Sequence, residues 1–319
     1  MGDRNILTKK YMGQNDIFAD LCNFFLFDGQ TIIKPDNLTE KDVTELGKIY
    51  TDKGRIEIER VRDLLRNCTV KTADEVTYMI IGVENQSDIH YAMVVRNMVQ
   101  DALNYAAQVE ACTKKHRQNK DLGTEEYLSG FSKKNKLVPV VTITVYWDSG
   151  DWDGPRCLHE MFDLDNKILD YVPDYKLNLV IPSEIKDFQK FKTELGSVME
   201  FLRCSDNKDK MRKFLSDNSN SIILSNDAVE LLNCCVNAKI KISKEKGVET
   251  GMCIALDELR EEFRLEGILE GRLEGRLEGE ELMGRLVTVL SEHDRNDDII
   301  KAAKDKEFRN KLYIEYGLS

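Results

Sequence analysis

The sequence predicts an α/β protein in which a mixed sheet is followed by a helical C-terminal region. Between residues 14 and 147, the patterns occur in the order helix, two or three strands, helix, strand. From residue 183 onwards the patterns are helical. The 319 residues exceed one ordinary domain, so we divide the chain into residues 1–165, 166–250 and 251–319.

The first strong element is a helix over residues 14–27, in which Ile17, Leu21 and Phe24 recur at helical spacing. A glycine and a proline then interrupt the pattern. The charged stretch from there to residue 54 has few apolar residues, and it predicts at most a short helix.

In residues 55–86 the apolar residues instead recur with the period of two that is typical of strands. Two β-rich segments, IEIERVRDLLRN and EVTYMIIGVEN, are separated by the polar KTADE, which predicts an antiparallel hairpin. Residues 90–110 return to helical composition. The β-branched run LVPVVTITVYW, residues 137–147, predicts a strand that is buried on both faces.

The second half contains three amphipathic segments at 183–203, 207–217 and 226–240, which predict helices. A four-residue repeat, RLEG, follows in residues 264–282. Its leucines and glycines each recur every four residues, so each row winds slowly around a helix. The repeat helix predicts a homo-oligomer, with a solvated tail or packing against residues 225–242 as the alternatives.

Composition excludes several classes of protein. With 41% hydrophobic and 32% charged residues, the chain is neither collagenous nor wholly disordered. It has no apolar run that could span a membrane and no signal peptide, so we expect a soluble, cytoplasmic protein. The eight cysteines and four histidines lack zinc-ligand spacing. The net charge of −11 does not exclude a locally basic groove for DNA.

Two carboxylates in the predicted hairpin are the candidate functional residues. Glu84 follows an apolar strand, and Gln86 must project from the same face because side chains alternate along a strand. Asp63 on the paired strand can face both. Two carboxylates and a polar third group suit a hard divalent cation such as Mg²⁺ or Mn²⁺, which prefers oxygen ligands and keeps several waters.

The arrangement D-x(20)-E-x-Q, on a hairpin between two helices, resembles the PD-(D/E)XK nuclease superfamily with its restriction-endonuclease-like αβββαβ core. The segments RVRDLLRN, IIGVENQSDIHYAMVVRNM and KLVPVVTITVYW, together with the RLEG tail, resemble the YhgA-like family of recombination-promoting nucleases and transposases. The resemblance covers residues 14–165 by motif and the tail by composition.

This resemblance implies a Mg²⁺-dependent DNA endonuclease linked to recombination or mobile elements. Asp63 and Glu84 match the metal-binding carboxylates, and Gln86 takes the third position, which is lysine in many members of the superfamily. A glutamine amide can orient a water but cannot act as a cation. Asp16 matches an acidic residue of the family's first helix, and Arg96 matches an arginine after the hairpin.

Several alternatives stay open. Asp20 rivals Asp16 as the acidic residue of the first helix, and Arg96 fits either a phosphate contact or a salt bridge. A tyrosine and a proline that are frequent in relatives are here Gln100 and Val94. The same fold could bind DNA without cleaving it, or the chain could be an oligomeric interaction protein.

A basic cluster in residues 114–120 could touch the DNA backbone, or it could be a solvated helix end.

Overall fold

The computed structural model describes residues 3–51, 54–71, 76–164, 166–217, 222–236 and 251–318. Contacts divide the chain into two compact units, Met1–Leu256 and Asp257–Ser319. Among the described residues, no helix is both long enough and apolar enough to cross a membrane.

The first unit combines strands and helices. Its strands are β1 (Leu38–Glu40), β2 (Thr44–Thr51), β3 (Gly54–Val61), β4 (Leu64–Lys71), β5 (Val76–Gln86), β6 (Val140–Tyr146) and β7 (Asn178–Val180). Its helices are α1 (Asp3–Met12), α2 (Asn15–Phe27), α3 (Met93–Asn119), α4 (Thr124–Tyr127), α5 (Asn166–Leu169), α6 (Leu195–Cys204), α7 (Lys208–Asp217) and α8 (Asn226–Val236). The chain ends with α9 (Gly251–Glu292), α10 (Asn296–Lys304) and α11 (Lys306–Glu315).

The main sheet has five strands in the order β1-β4-β5-β6-β7. β1, β4 and β5 pair antiparallel, whereas β6 is parallel to both β5 and β7, so the sheet is mixed. Along the chain, α2, β1, β4, β5, α3 and β6 reproduce the predicted αβββαβ order. The α/β class, the mixed sheet and the helical C-terminal region are therefore confirmed.

β6 lies inside the sheet, as its β-branched sequence predicts. It has paired neighbours on both sides, and its last five residues are all buried, which requires cover on both faces of the sheet. Beyond it, β7 extends the sheet past residue 165.

The prediction of a short helix between residues 36 and 54 is wrong. Residues 38–40 form β1, and residues 44–51 form β2, which pairs with β3 in a separate two-stranded sheet. Thr, Ile and Tyr in β2 favour an extended backbone, and pairing with β3 stabilises it. The predicted first strand of the hairpin is likewise divided between β3 and β4 at Arg62 and Asp63, while residues 72–75 of the predicted turn lie outside the described residues.

The helix predicted from residue 183 begins only at Leu195. Two one-turn 3₁₀ helices, Pro182–Glu184 and Phe188–Lys190, precede it. Asp20 of α2 accepts hydrogen bonds from the backbone N–H groups of Lys192 and Thr193, at 2.9 and 2.8 Å, so these residues are held outside a helix. This segment therefore joins α2 to α6.

Helix α1, which the sequence patterns did not predict, contacts α8. Lys10 lies 2.8 Å from Asp227 and 3.5 Å from Glu230, and Gln14 donates a hydrogen bond to Asp227 at 3.2 Å. Tyr11 packs its ring edge-on against Trp147 at the end of β6, with a centroid distance of 6.2 Å. The two ends of the first unit thus meet beside the sheet.

The second unit has its own small core. Leu286 and Leu290 of α9 are buried against residues of α10, α11 and the chain end, namely Ala302, Leu312 and Leu318. The repeat is helical, and its leucines at 265, 269, 273 and 277 are about half exposed.

Candidate functional site

Asp63 and Glu84 lie side by side across β4 and β5. The antiparallel register pairs Leu64 with Val83, which places Asp63 opposite Glu84. The Asp63 backbone N–H donates to Glu84 Oε1 at 3.3 Å, and the Asn85 N–H donates to Asp63 Oδ2 at 2.8 Å. Each carboxylate is therefore fixed by the backbone of the opposite chain segment.

The surroundings of Glu84 strongly perturb the pKa of its carboxyl. Its side chain is fully buried, and burial raises the pKa of its carboxyl to about 7. The negative charge of Asp63 raises this pKa further, while the positive charges of Arg96 and Arg62 oppose the increase. Such a perturbed carboxyl beside a second carboxylate is typical of functional sites.

Helix α3 presents two residues to Glu84 from one face. Arg96 Nη2 lies 3.0 Å from Glu84 Oε2, and Gln100 Nε2 donates to Glu84 Oε1 at 3.3 Å. The two residues are four positions apart, which puts them on the same side of a helix. The sequence left either a phosphate contact or a salt bridge for Arg96. The structure shows the salt bridge, and its partner, Glu84, is buried.

Lys9 of α1 is the second cation of the site. Its Nζ lies 2.9 Å from Asp63 Oδ1, and the Asp63 side chain is only 7% exposed. The sequence patterns gave no indication of this residue, because α1 was not predicted and Lys9-Lys10 looks like an ordinary solvated pair.

Gln86 projects from the same face of β5 as Glu84 and is nearly buried. Its backbone carbonyl accepts a hydrogen bond from the Trp147 N–H at 2.8 Å. Its side-chain amide makes no hydrogen bond to any residue that the structure describes, so this amide retains its donors and acceptor for a water or a ligand.

The two acidic candidates of α2 have different surroundings. Asp16 is exposed, and it makes no hydrogen bond or ion pair to Asp63 or Glu84 among the described contacts. Asp20 is buried, and its carboxylate also accepts a hydrogen bond from the Thr193 hydroxyl at 2.6 Å. Asp20 therefore has a structural role, and a part for Asp16 in the site stays a prediction.

A buried network next to Asp63 explains the glycine of the GVENQ motif. Arg62 is fully buried, and its Nη2 lies 2.7 Å from Asp101 Oδ1 of α3. Thr142 of β6 donates to the same carboxylate at 2.6 Å. A Cβ atom at Gly82 would lie 2.7 Å from Arg62 Nη1, so only glycine leaves the room that this guanidinium occupies.

The basic cluster at the end of α3 is partly neutralised. Lys114 pairs with Glu110 at 3.2 Å. The ring of His116 is hydrogen-bonded to Asp121 at 2.7 Å and to Asn135 at 2.8 Å, and these two bonds raise the pKa of its imidazole. The cluster is therefore a partly structured helix end, and its contact with DNA stays a prediction.

The chemistry of the donors fits a hard divalent cation. The described residues include no group of three His, Cys, Asp or Glu side chains arranged to hold a metal. They do provide the adjacent oxygens of Asp63 and Glu84 and the unbonded amide of Gln86. Mg²⁺ is commonly bound through one or two carboxylates and several waters, and a divalent cation at these oxygens stays a prediction.

Comparison with protein families gave one match. The family described as "Putative transposase, YhgA-like" matches residues 59–227, just over half of the chain. Neither the curated proteins nor the solved structures contain a match. The matched region includes both carboxylates, Gln86 and Arg96, and the chain therefore belongs to the YhgA-like transposase family.

Proposed function

We propose that this protein is a Mg²⁺- or Mn²⁺-dependent endonuclease that hydrolyses DNA phosphodiester bonds in a transposase-like role. The observation that carries the proposal is the adjacency of Asp63 and Glu84 beside the unbonded amide of Gln86. Membership of the YhgA-like family supports the transposase-like role, and it makes DNA the partner that the proposal names.

The residues have distinct roles in this proposal. Asp63 and Glu84 hold the cation, which when bound lowers the pKa of a coordinated water and neutralises charge on a phosphate oxygen. Gln86 orients the attacking water through its amide. The water oxygen bonds to phosphorus and gives up one proton, the bond from phosphorus to one ester oxygen breaks, and that ester oxygen takes up a proton, so no net proton is gained or lost. Arg96 and Gln100 keep the Glu84 carboxylate in position.

Plasmid nicking tests this function. Wild-type protein with Mg²⁺ or Mn²⁺ is compared with Asp63→Asn and Glu84→Gln, and with Asp170→Asn as the control because Asp170 is an exposed carboxylate outside the site. We expect both site variants to lose at least about a hundredfold in rate, since each removes a charge that holds the metal. Equal nicking by all four proteins would contradict the proposal.

A second candidate function is DNA binding or assembly without cleavage. It is favoured by the neutralisation of both carboxylates in the structure, Asp63 by Lys9 and Glu84 by Arg96. This function predicts retained DNA binding by a wild-type protein that does not nick, and a DNA affinity that is independent of divalent cations. Gel-shift titrations with and without Mg²⁺, beside the nicking assay, distinguish the two candidates.

We also propose that the protein forms a homo-oligomer through the repeat in α9. The half-exposed leucines form a row, and a Cβ atom at Gly271, Gly275 or Gly279 would meet no atom within 4 Å. Two such helices could approach closely, and burying the leucines would stabilise the pair. A second nuclease unit would then be available to cut the second DNA strand.

A further inference from the structure

Lys9 and Lys10 are neighbours on α1 with different surroundings. Lys10 is paired with Asp227 and Glu230 and is half exposed. Lys9 is 25% exposed, and its one ion-pair partner among the described residues is Asp63, at 2.9 Å. A lysine ammonium is therefore built into the site at the carboxylate that the proposed function assigns to the metal.

Lys9 also lines an open cleft of about 690 Å³. Its walls include β1, the segment after β1, and the start of β4, and they carry three further cations, Lys10, Lys41 and Arg66. Arg66 is paired with Glu40 at 3.1 Å, whereas Lys41 has no ion-pair partner among the described side chains. A ligand that enters this cleft therefore meets Lys9, the residue whose ammonium contacts Asp63.

The other cations near the two carboxylates already form ion pairs. Arg62 is buried with Asp101, and Arg96 is bound to the buried Glu84. Gln86 is uncharged, although its position is the one that carries the positive charge in many PD-(D/E)XK nucleases. Among the described residues near the site, Lys9 is thus the cation that combines contact with a carboxylate of the site, Asp63, and access to the cleft.

We propose that Lys9 is the catalytic cation of this site, in place of a lysine at position 86. The inference rests on the proposed function and deepens it. Without a divalent cation, the Lys9 ammonium neutralises Asp63. With a cation held by Asp63, repulsion would turn the ammonium towards the scissile phosphate, which the flexible four-carbon chain of Lys9 permits. There it stays protonated and donates hydrogen bonds to the phosphate oxygens as their charge develops.

Two measurements test this role in Lys9→Gln, Lys9→Arg and the control Lys186→Gln, because Lys186 is an exposed lysine that does not line the cleft. The first is single-turnover cleavage at saturating DNA and Mn²⁺. We expect Lys9→Gln to lose about a hundredfold in rate, Lys9→Arg to retain more activity, and Lys186→Gln to stay within about twofold. The double variant Lys9→Gln/Gln86→Lys should recover part of the lost rate, because it returns a cation to the site at the usual position.

The second measurement is Mn²⁺ affinity by calorimetry without DNA, which does not depend on cleavage. Lys9→Gln should bind Mn²⁺ several-fold more tightly than wild type, because a competing positive charge has been removed from Asp63. Thermal melting checks that each variant is folded. Unchanged or weaker Mn²⁺ binding by a folded Lys9→Gln protein, or cleavage at the wild-type rate, would overturn the role of Lys9.

The two proposals fail in different ways. If wild type does not cleave with either metal, the endonuclease function fails, while tighter Mn²⁺ binding by Lys9→Gln still supports the contact of Lys9 with a cation site. If wild type cleaves and Lys9→Gln cleaves equally well, the endonuclease function stands and the inference about Lys9 is wrong.

Discussion

Glu84 links the stability of the protein to pH. The pKa of its carboxyl is about 7 in the folded protein and near 4.5 in an unfolded chain. Because the folded pKa is the higher one, its stabilising contribution is complete below pH 4.5 and is lost as pH rises through 7.

We therefore expect the free energy of unfolding of wild type to fall by about 2–3 kcal/mol more between pH 5 and pH 8 than that of Glu84→Gln. Guanidinium unfolding at four pH values in that range measures the difference. Parallel pH profiles for the two proteins would show that Glu84 titrates normally.

Gly82 offers a second test at the scale of one residue. A methyl group there would press on the Arg62 guanidinium, which is held by Asp101. Gly82→Ala should therefore lower the free energy of unfolding by about 1–3 kcal/mol. Gly123→Ala is the control, because a Cβ atom at Gly123 meets no atom within 4 Å and its φ of −71° suits alanine. Denaturant unfolding of both variants should show a loss for Gly82→Ala alone.

At the scale of elements, Asp20 joins α2 to the segment that precedes α6. Asp20→Ala removes the acceptor of two backbone N–H groups and one hydroxyl, and we expect it to cost about 2–4 kcal/mol of stability. Asp16→Ala on the same helix should change stability by less than about 0.5 kcal/mol, because Asp16 is exposed. Chemical unfolding compares the two, and an equal loss would refute the assignment of a structural role to Asp20 alone.

The elements that could be predicted are those whose residue pattern lies within the element itself. Helix α2, the β4–β5 hairpin, most of α3 and strand β6 have a clear periodicity and are confirmed. By contrast, β2 becomes a strand only by pairing with β3, and β7 is three residues long and depends on β6. Their sequences carry too little periodicity to indicate these partners.

The same division applies to the candidate site. Asp63, Glu84 and Gln86 could be brought together from strand alternation and hairpin pairing, which are local rules. Lys9 could not, because it reaches Asp63 from a helix 54 residues earlier in the chain. In the sequence Gln100 stands out only as a departure from relatives, although its spacing from Arg96 is that of one helical face.

At the scale of the whole molecule, the repeat in α9 predicts that the protein associates in solution and that a variant of the leucine row has a lower molecular mass. Intact protein should be at least dimeric by light scattering at micromolar concentration. Leu269→Glu/Leu273→Glu should be monomeric, because charges in the leucine row oppose burial. The control Glu274→Gln alters an adjacent row and should stay associated. Monomeric wild type would leave the repeat as a solvated helix.

The pairing of α1 with α8 has a consequence for synthesis. Lys10 and Gln14 bind Asp227, and Lys9, one residue before Lys10, contacts Asp63. Because α8 leaves the ribosome more than two hundred residues after α1, the nascent chain cannot complete this arrangement until almost the whole first unit has been translated. A ribosome-bound fragment that already contains Asp63 and Glu84 therefore lacks the contacts that fix α1 beside them, so the proposed cation site is completed only after α8 has left the ribosome.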